Sequence, residues 1–312
     1  MASVDLSTAR GLIVNMETFR GLTTHVSSIY DRHNEEKCFH VRVGDDSPGY
    51  KVRFATATSR HSVTREHEAL HILRQHGVTW VPRVYEFRSD EPAYLVIAYA
   101  EGESLDKGQV WTPHADSIVA GLAKLLDDIH RIGGDYFGHL GGPRYSTWRA
   151  FVDVRFWRHV TPLAEAGLIG EDDLRGIRDL YEETREALDG VRPTLLHGDV
   201  KPANIVFSTE LRRTVLVDFE LARFGDVDFE WSKLYRLSLR WPEYRRLVAE
   251  PIMSGVSFDH SRGRAGDAKL LLYELYHACS FLGFELETGI PTPNYRLSDL
   301  AELLHAVRSH VA

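Results

Sequence analysis

The spacing of apolar residues changes character along the chain. From Thr24 to Tyr99, apolar and polar positions alternate in short runs: Thr24–Tyr30, Cys38–Val43, Tyr50–Ala55, Val84–Arg88 and Tyr94–Tyr99. A period of two marks strands with one buried face. The cluster Asp45-Asp46-Ser47-Pro48-Gly49 is a turn signal between the second and third runs. Ser7–Asn15 reads as a short leading helix. Ser62–Gln75 reads as a longer one, with Leu70 and Leu73 facing the sheet and Gly77 ending it. A mostly antiparallel five-stranded sheet with one helix is therefore expected. Beyond residue 101 the spacing turns helical. Apolar residues fall at 118, 119, 122, 125, 126 and 129 within Ser117–Arg131, and Ile177–Asp189 and Leu270–Glu285 follow.

One stretch breaks the helical pattern. Leu195-Leu196-His197-Gly198-Asp199-Val200-Lys201-Pro202-Ala203-Asn204-Ile205-Val206-Phe207 runs from apolar strand through polar loop to apolar strand, and Thr214–Asp218 supplies a further run. A hairpin folded about Leu211 would set Asn204 opposite Asp218, about 5 Å apart. An amide oxygen and a carboxylate so placed suit Mg²⁺, which takes oxygen ligands and completes its shell with water and phosphate. Asp199, five residues before Asn204, would lie within reach of a substrate hydroxyl.

The pattern His197-x-Asp199-x-x-x-x-Asn204 followed by Asp218 resembles the catalytic core of kinase-fold phosphotransferases. His197-Gly198 and Asp218-Phe219-Glu220 resemble the aminoglycoside phosphotransferase family in particular, as do Glu101–Leu105, Phe137–Leu140 and Gly225–Trp231. The resemblance implies an α+β, bilobal protein-kinase-like fold. Residues 1–100 would form the nucleotide-binding lobe, with a hinge at about 98–104. Residues 101–312 would form a mainly helical catalytic and acceptor-binding lobe.

It also implies roles. Asp199 would orient and deprotonate the acceptor hydroxyl, Lys201 would reach the γ-phosphate, and Asn204 and Asp218 would hold Mg²⁺. His197 would brace the loop. Lys51 and Arg53 share one face of their strand, and either would contact the nucleotide phosphates; the sequence leaves the choice open. Glu66 would orient that cation, with Glu68 as the alternative. Gly21–Ser28, including Ser27, stands where the phosphate-covering loop would lie. The Ala98 carbonyl and Ala100 amide would hydrogen-bond the base of ATP or GTP. Glu230 is read as an acid capping backbone N–H groups; together with Asp228 and Glu285 it is also a candidate for binding substrate amines. No Ala-Pro-Glu follows a long activation loop, so the expected acceptor is a small molecule, an antibiotic or sugar-like metabolite, and a resistance or self-protection role follows from the resemblance. The alternatives are a nucleotide-binding protein without catalysis, and a zinc protease through His67-Glu68-Ala69-Leu70-His71.

Composition narrows this reading. The 312 residues carry 37 basic and 45 acidic side chains, a net charge of −8, which argues against nucleic acid as a partner. The longest apolar run, Tyr94–Ala100, is too short to span a bilayer. Only Cys38 and Cys279 occur, and no secretory pattern opens the sequence. A cytoplasmic location, with no membrane and no obligate protein partner, is expected.

Overall fold

A computed structural model describes residues 5–29, 37–44, 49–55, 60–107, 111–239, 242–255, 264–289 and 291–311. Most of the expected Asp45–Gly49 turn, and Tyr30, lie outside them. Five antiparallel strands, β1 (Thr24–Ile29), β2 (Lys37–Val43), β3 (Tyr50–Phe54), β4 (Val84–Arg88) and β5 (Tyr94–Ala98), form a sheet in the order β1-β2-β3-β5-β4. Alternation sorts the two faces. Val26, Phe39, Val41, Val52, Phe54 and Val96 pack against Ala9 and Ile13 of α1 (Leu6–Ile13), and Asp5 caps that helix by accepting from the Thr8 amide at 2.7 Å. The other face carries Lys51 opposite Ile97 and Arg53 opposite Leu95. Directly paired residues share a face, so both cations lie on the side where Leu95 and Ile97 meet Val63, Leu70 and Leu73 of α2 (Arg60–Gln75).

The chain then passes through β6 (Glu103–Ser104) into α3 (Trp111–His130), whose apolar stripe Ile118, Leu122, Leu125, Leu126 and Ile129 is buried as its spacing requires. Gly102 has φ +138°, and a Cβ there would stand 2.5 Å from the Phe207 carbonyl oxygen. Only glycine lets β6 pair this closely with β9 (Ile205–Ser208), which also pairs with β10 (Arg213–Leu216). A second small sheet joins β7 (Gly138–His139), β11 (Arg223–Gly225) and β8 (Thr194–Leu196), with β11 in the middle.

Helices α4 (Trp148–Glu165), α5 (Glu171–Asp189), α6 (Val227–Ser238), α9 (Arg264–Thr288) and α10 (Asn294–Val311) surround a second core. Trp148, Phe156, Phe229, Tyr273 and Leu303 are among its members. The short helices α7 (Pro242–Tyr244) and α8 (Glu250–Gly255) flank a π-helical turn at Arg245–Ala249. The first core does not stop at the junction near residue 100: Leu70, Leu73, Leu95 and Ile97 belong to the same buried cluster as Leu122, Ile205 and Phe219. Both cysteines are buried, and neither forms a disulfide among the described residues. Among the described residues no helix is long and apolar enough to cross a membrane.

Candidate active site

The loop between β8 and β9 is built around a tight backbone turn. Gly198 has φ +81°, and a Cβ there would collide with the Leu221 carbonyl, so a side chain is excluded. His197 ties two segments together: its Nε2–H donates to the Val217 carbonyl at 2.9 Å, and its Nδ1 accepts from the Asp199 amide at 3.1 Å. Burial pushes this imidazole below its usual pKa, so it is a neutral brace. Glu230, on the first turn of α6, accepts the amides of His197 (3.3 Å) and Gly198 (2.5 Å), and pairs with His130 at 2.8 Å. Its carboxylate is therefore turned into the loop and is 2 % exposed.

The turn presents Asp199 between two lysines. Lys201 Nζ lies 2.6 Å from Oδ2, and Lys233 Nζ lies 2.7 Å from Oδ1. Asn204 adds Nδ2 donations to the Asp199 carbonyl (2.9 Å) and Oδ2 (3.1 Å). Burial alone would raise the Asp199 pKa, but Lys233 and Lys201 outweigh it and hold the carboxyl well below its ordinary range. Lys233 was not visible to sequence reasoning. Its one signal is helical spacing, since Lys233 follows the loop-capping Glu230 by three residues and so shares its face of α6.

The hairpin differs from expectation by one residue. Ile205 pairs with Leu216, and the Val217 amide donates to the Asn204 carbonyl at 2.9 Å, so Asn204 faces Val217 and not Asp218. The strand ends at Leu216, and Asp218 then turns into the left-handed region at φ 70°. A non-glycine residue held there stores local strain, as functional sites often do. Asp218 has one ion pair among the described residues, with Arg53 at 3.6 Å. Asn204 spends its Nδ2 on Asp199, and its Oδ1 accepts no hydrogen bond among the described residues. An amide oxygen and a carboxylate left in this way fit a hard cation completed by phosphate and water. No group of three or more His, Cys, Asp or Glu side chains is arranged for a metal among the described residues. This counts against the zinc alternative. There His67 stacks on Phe87 at 3.9 Å and His71 Nε2 sits 2.9 Å from Gln75 Nε2.

Arg53 is the strand cation that pairs with Glu66, at 2.7 Å with both side chains buried. It also meets Ser62 Oγ at 3.1 Å and Glu220. The Lys51 ammonium makes no hydrogen bond among the described residues; burial would lower its pKa, but Cys38, Glu66 and Asp218 outweigh this and hold it above the usual lysine range. At the strand end, the Ala98 amide is taken by the Arg83 carbonyl (2.8 Å) and the Tyr99 amide by Gly49 (2.9 Å). The Ala100 amide has no partner among the described residues. Thr24–Ile29 is strand, as the alternation predicts, with Val26 buried on the α1 side while His25 and Ser27 project outward, so most of Gly21–Ser28 belongs to β1. Ser27 lines a cavity of about 510 Å³ together with His25, His40 and Arg42.

The acids expected to meet substrate amines are committed elsewhere. Asp228 lies 2.6 Å from Lys269, Glu285 lies 2.9 Å from Arg296, and Glu230 caps the loop. Each was legible as an acid, but its partner comes from a distant element.

A family model described as the phosphotransferase enzyme family matches residues 39–265. The fold is similar to that of aminoglycoside phosphotransferase APH(4)-Ia, with 17% identity, 98% of each chain covered and a TM-score of 0.64. It is similar to a proposed fructosamine-3-kinase from Thermobifida fusca YX-ER1, with 15% identity, 98% of this chain and 99% of that chain covered, and a TM-score of 0.69. It is also similar to ADP-bound aminoglycoside phosphotransferase APH(2'')-Ib, with 19% identity, 96% and 97% covered and a TM-score of 0.64. Comparison with curated proteins returned no match.

Proposed function

Since the chain belongs to the phosphotransferase enzyme family and is a phosphotransferase with an alcohol group as acceptor, we infer that it moves the γ-phosphoryl group of ATP or GTP onto a small molecule. The observation that carries this reading is the clamped Asp199, fixed by Lys201, Lys233 and Asn204 at the mouth of a loop that Glu230 and His197 hold rigid. A carboxylate kept so acidic is a weak base. Its work is to accept and aim the hydroxyl proton, which is sufficient for a loose phosphoryl-transfer transition state. Lys201, at the outer side of Asp199, would follow the transferred group. Arg53 and Lys51 supply positive charge along the sheet face, and Glu66 fixes the direction of Arg53. Asn204 and Asp218 would hold Mg²⁺, which would neutralise charge on the β- and γ-phosphates.

The acceptor class is read from the neighbours. APH(4)-Ia is known as a ternary complex with AMP-PNP and hygromycin B, and APH(2'')-IIa as a complex with streptomycin and ATP. An antibiotic or sugar-like acceptor for this chain, and a resistance role, are extensions of that likeness. The test is mass spectrometry of the purified protein with Mg-ATP or Mg-GTP and a panel of antibiotics, amino alcohols and sugars. An acceptor gaining about 80 Da, one phosphoryl group, with wild type and not with Asp199→Ala, is the expected result. Nucleotide binding with no transfer to any acceptor would favour a protein that binds without catalysis.

A further inference from the structure

Three arginines converge beside the catalytic loop with no carboxylate in ion-pair range among the described residues. Arg223 is the β11 residue directly across from His139 of β7. Arg155 of α4 donates to His139 Nε2 at 3.3 Å. Arg65 of α2 donates to the Leu140 carbonyl at 3.3 Å and the Glu220 carbonyl at 2.6 Å. The only side-chain hydrogen bond of Arg223 among the described residues runs from Nε to the Leu221 carbonyl at 3.2 Å, which leaves both Nη groups uncommitted. Arg155 Nε is buried with no partner. None of the three has a carboxylate within 4.0 Å among the described residues. Arg223 is 5 % exposed, and its guanidinium rests over Phe229 at 5.2 Å and Phe151 at 5.8 Å.

Burying a charge is costly unless something pairs with it. Here the neighbours make matters worse. Burial, Arg223 and Arg155 pull the Arg65 pKa down to about 10. His159, one turn beyond Arg155 on α4, is pushed down to about 4 by burial, Arg155, Arg158 and Arg223. The carboxylates that act on Arg65 and Arg223 from outside ion-pair range include Glu68, Glu220, Glu230 and Asp199. Of these, Glu220 is engaged by Arg53, Glu230 by the loop amides and Asp199 by its lysines, and Glu68, near Gly141, stays outside ion-pair range of all three arginines among the described residues. What completes such a group is an oxyanion, which guanidinium forks bind in bidentate fashion.

The location ties the cluster to the reaction. Arg223 Nη2 lies 3.3 Å from where a Cβ of Gly198 would stand, and Gly198 is the residue before Asp199. Meanwhile Asp228 and Glu230, acids that would welcome an amine, are taken by Lys269 and the loop amides, and Glu285 is paired with Arg296 through one oxygen. We propose that Arg65, Arg155 and Arg223 form an oxyanion subsite that holds a phosphate or carboxylate group of the acceptor while its hydroxyl meets Asp199. This rests on the kinase reading above and narrows it: the acceptor is an acidic polyol or sugar derivative, and a polycationic one is disfavoured.

The full chain is tested in two arms. Calorimetry with inorganic phosphate compares wild type, Arg155→Gln, Arg223→Lys and Arg53→Gln. Loss of one charge-assisted contact should weaken phosphate by about tenfold or more in Arg155→Gln. If Arg53→Gln abolishes phosphate binding and the Arg155 and Arg223 variants retain it, the ion sits with the nucleotide-facing cation and the proposal falls. The kinetic arm pairs acceptors that differ only in the anionic group, such as a hexose, its uronic acid and its phosphate ester, with Mg-ATP. Wild type should favour the anionic members in kcat/KM by about tenfold or more, and Arg155→Gln should erase most of that preference. Equal use of neutral, cationic and anionic acceptors by wild type would overturn the subsite. So would phosphate binding at the arginines with no such preference, since the anion would then be separate from the acceptor. Failure of wild type to bind Mg-nucleotide, measured in the same calorimeter, would instead overturn the kinase reading.

Discussion

Asp199 illustrates how far single residues can be read. Its spacing from Asn204 and Asp218 was visible in the chain, because a loop and hairpin of fixed length leave few places for three oxygen-bearing groups. Lys233 was not visible, because α6 brings it to Asp199 from the far side of a separate hairpin and strand. Likewise, Lys51 and Arg53 were indistinguishable by alternation, and only the position of Glu66 separates them, in favour of Arg53. Two predictions belong here. Asp199→Asn should lower kcat by about 10²–10⁴-fold while leaving the Kd of Mg-nucleotide within a small factor; an active Asp199→Asn enzyme would remove this residue from the mechanism. Lys233→Met keeps the side-chain volume and deletes one of the two charges that depress the Asp199 pKa. With one cation left, the carboxyl protonates at higher pH. The acid limb of the kcat/KM profile should then move upward by about one pH unit. Coincident profiles for wild type and Lys233→Met would show that the lysine does not set the state of Asp199.

At the level of elements, periodicity located most strands and helices to within a few residues, and it failed where local backbone overrides period. The hairpin register slipped by one because the turn pairs Ser208 with Arg213 and so centres between Glu210 and Leu211, and turn length, which sets register, is not announced by any pattern of apolar residues. The run beginning at Thr24 is a strand as its alternation predicts, with Val26 packed on the α1 side, so of Gly21–Ser28, given a phosphate-covering place by the resemblance, only residues 21–23 lie outside β1. Contacts between helices were the least legible. Arg236 of α6 lies 3.6 Å from Glu274 of α9, 3.6 Å from Asp299 and 3.4 Å from Glu302 of α10. Burial, opposed by Arg236 and assisted by Glu302, pushes the Glu274 pKa up to about 7. The unfolded chain releases that proton near pH 4.5, so between pH 4.5 and 7 the folded state binds more protons than the unfolded one. Stability from this group is present below pH 4.5 and lost as pH rises through 7, by about 3 kcal/mol. Glu274→Gln should remove that slope. Urea midpoints at pH 5, 6, 7 and 8 would show the variant gaining on wild type as pH rises; a constant difference would mean that Glu274 ionises normally.

For the molecule as a whole, the change from alternating to helical spacing gave the α+β class, and the resemblance gave the kinase-like arrangement. Neither could show that one core runs through the junction, since Leu70, Leu73, Leu95 and Ile97 meet Leu122, Ile205 and Phe219 only after folding. This continuity has a thermodynamic consequence. Exposing four such side chains costs about 6–12 kcal/mol at 1.5–3 kcal/mol each, comparable to the whole stability of a typical domain. The sheet-bearing part should therefore not persist when the helical part melts. Calorimetry of the full chain should give a single transition whose van't Hoff and calorimetric enthalpies agree, and a chain ending at residue 100 should lack a cooperative transition. Because Arg53 of the sheet joins Asp218 and Glu220 of the other part, a nucleotide bound there, as proposed above, would stabilise both at once. Mg-ATP at a hundred times its Kd should add about 2.7 kcal/mol to that one transition and raise its midpoint without splitting it. Two transitions, with only one moving in response to nucleotide, would show that the continuous core does not couple the parts.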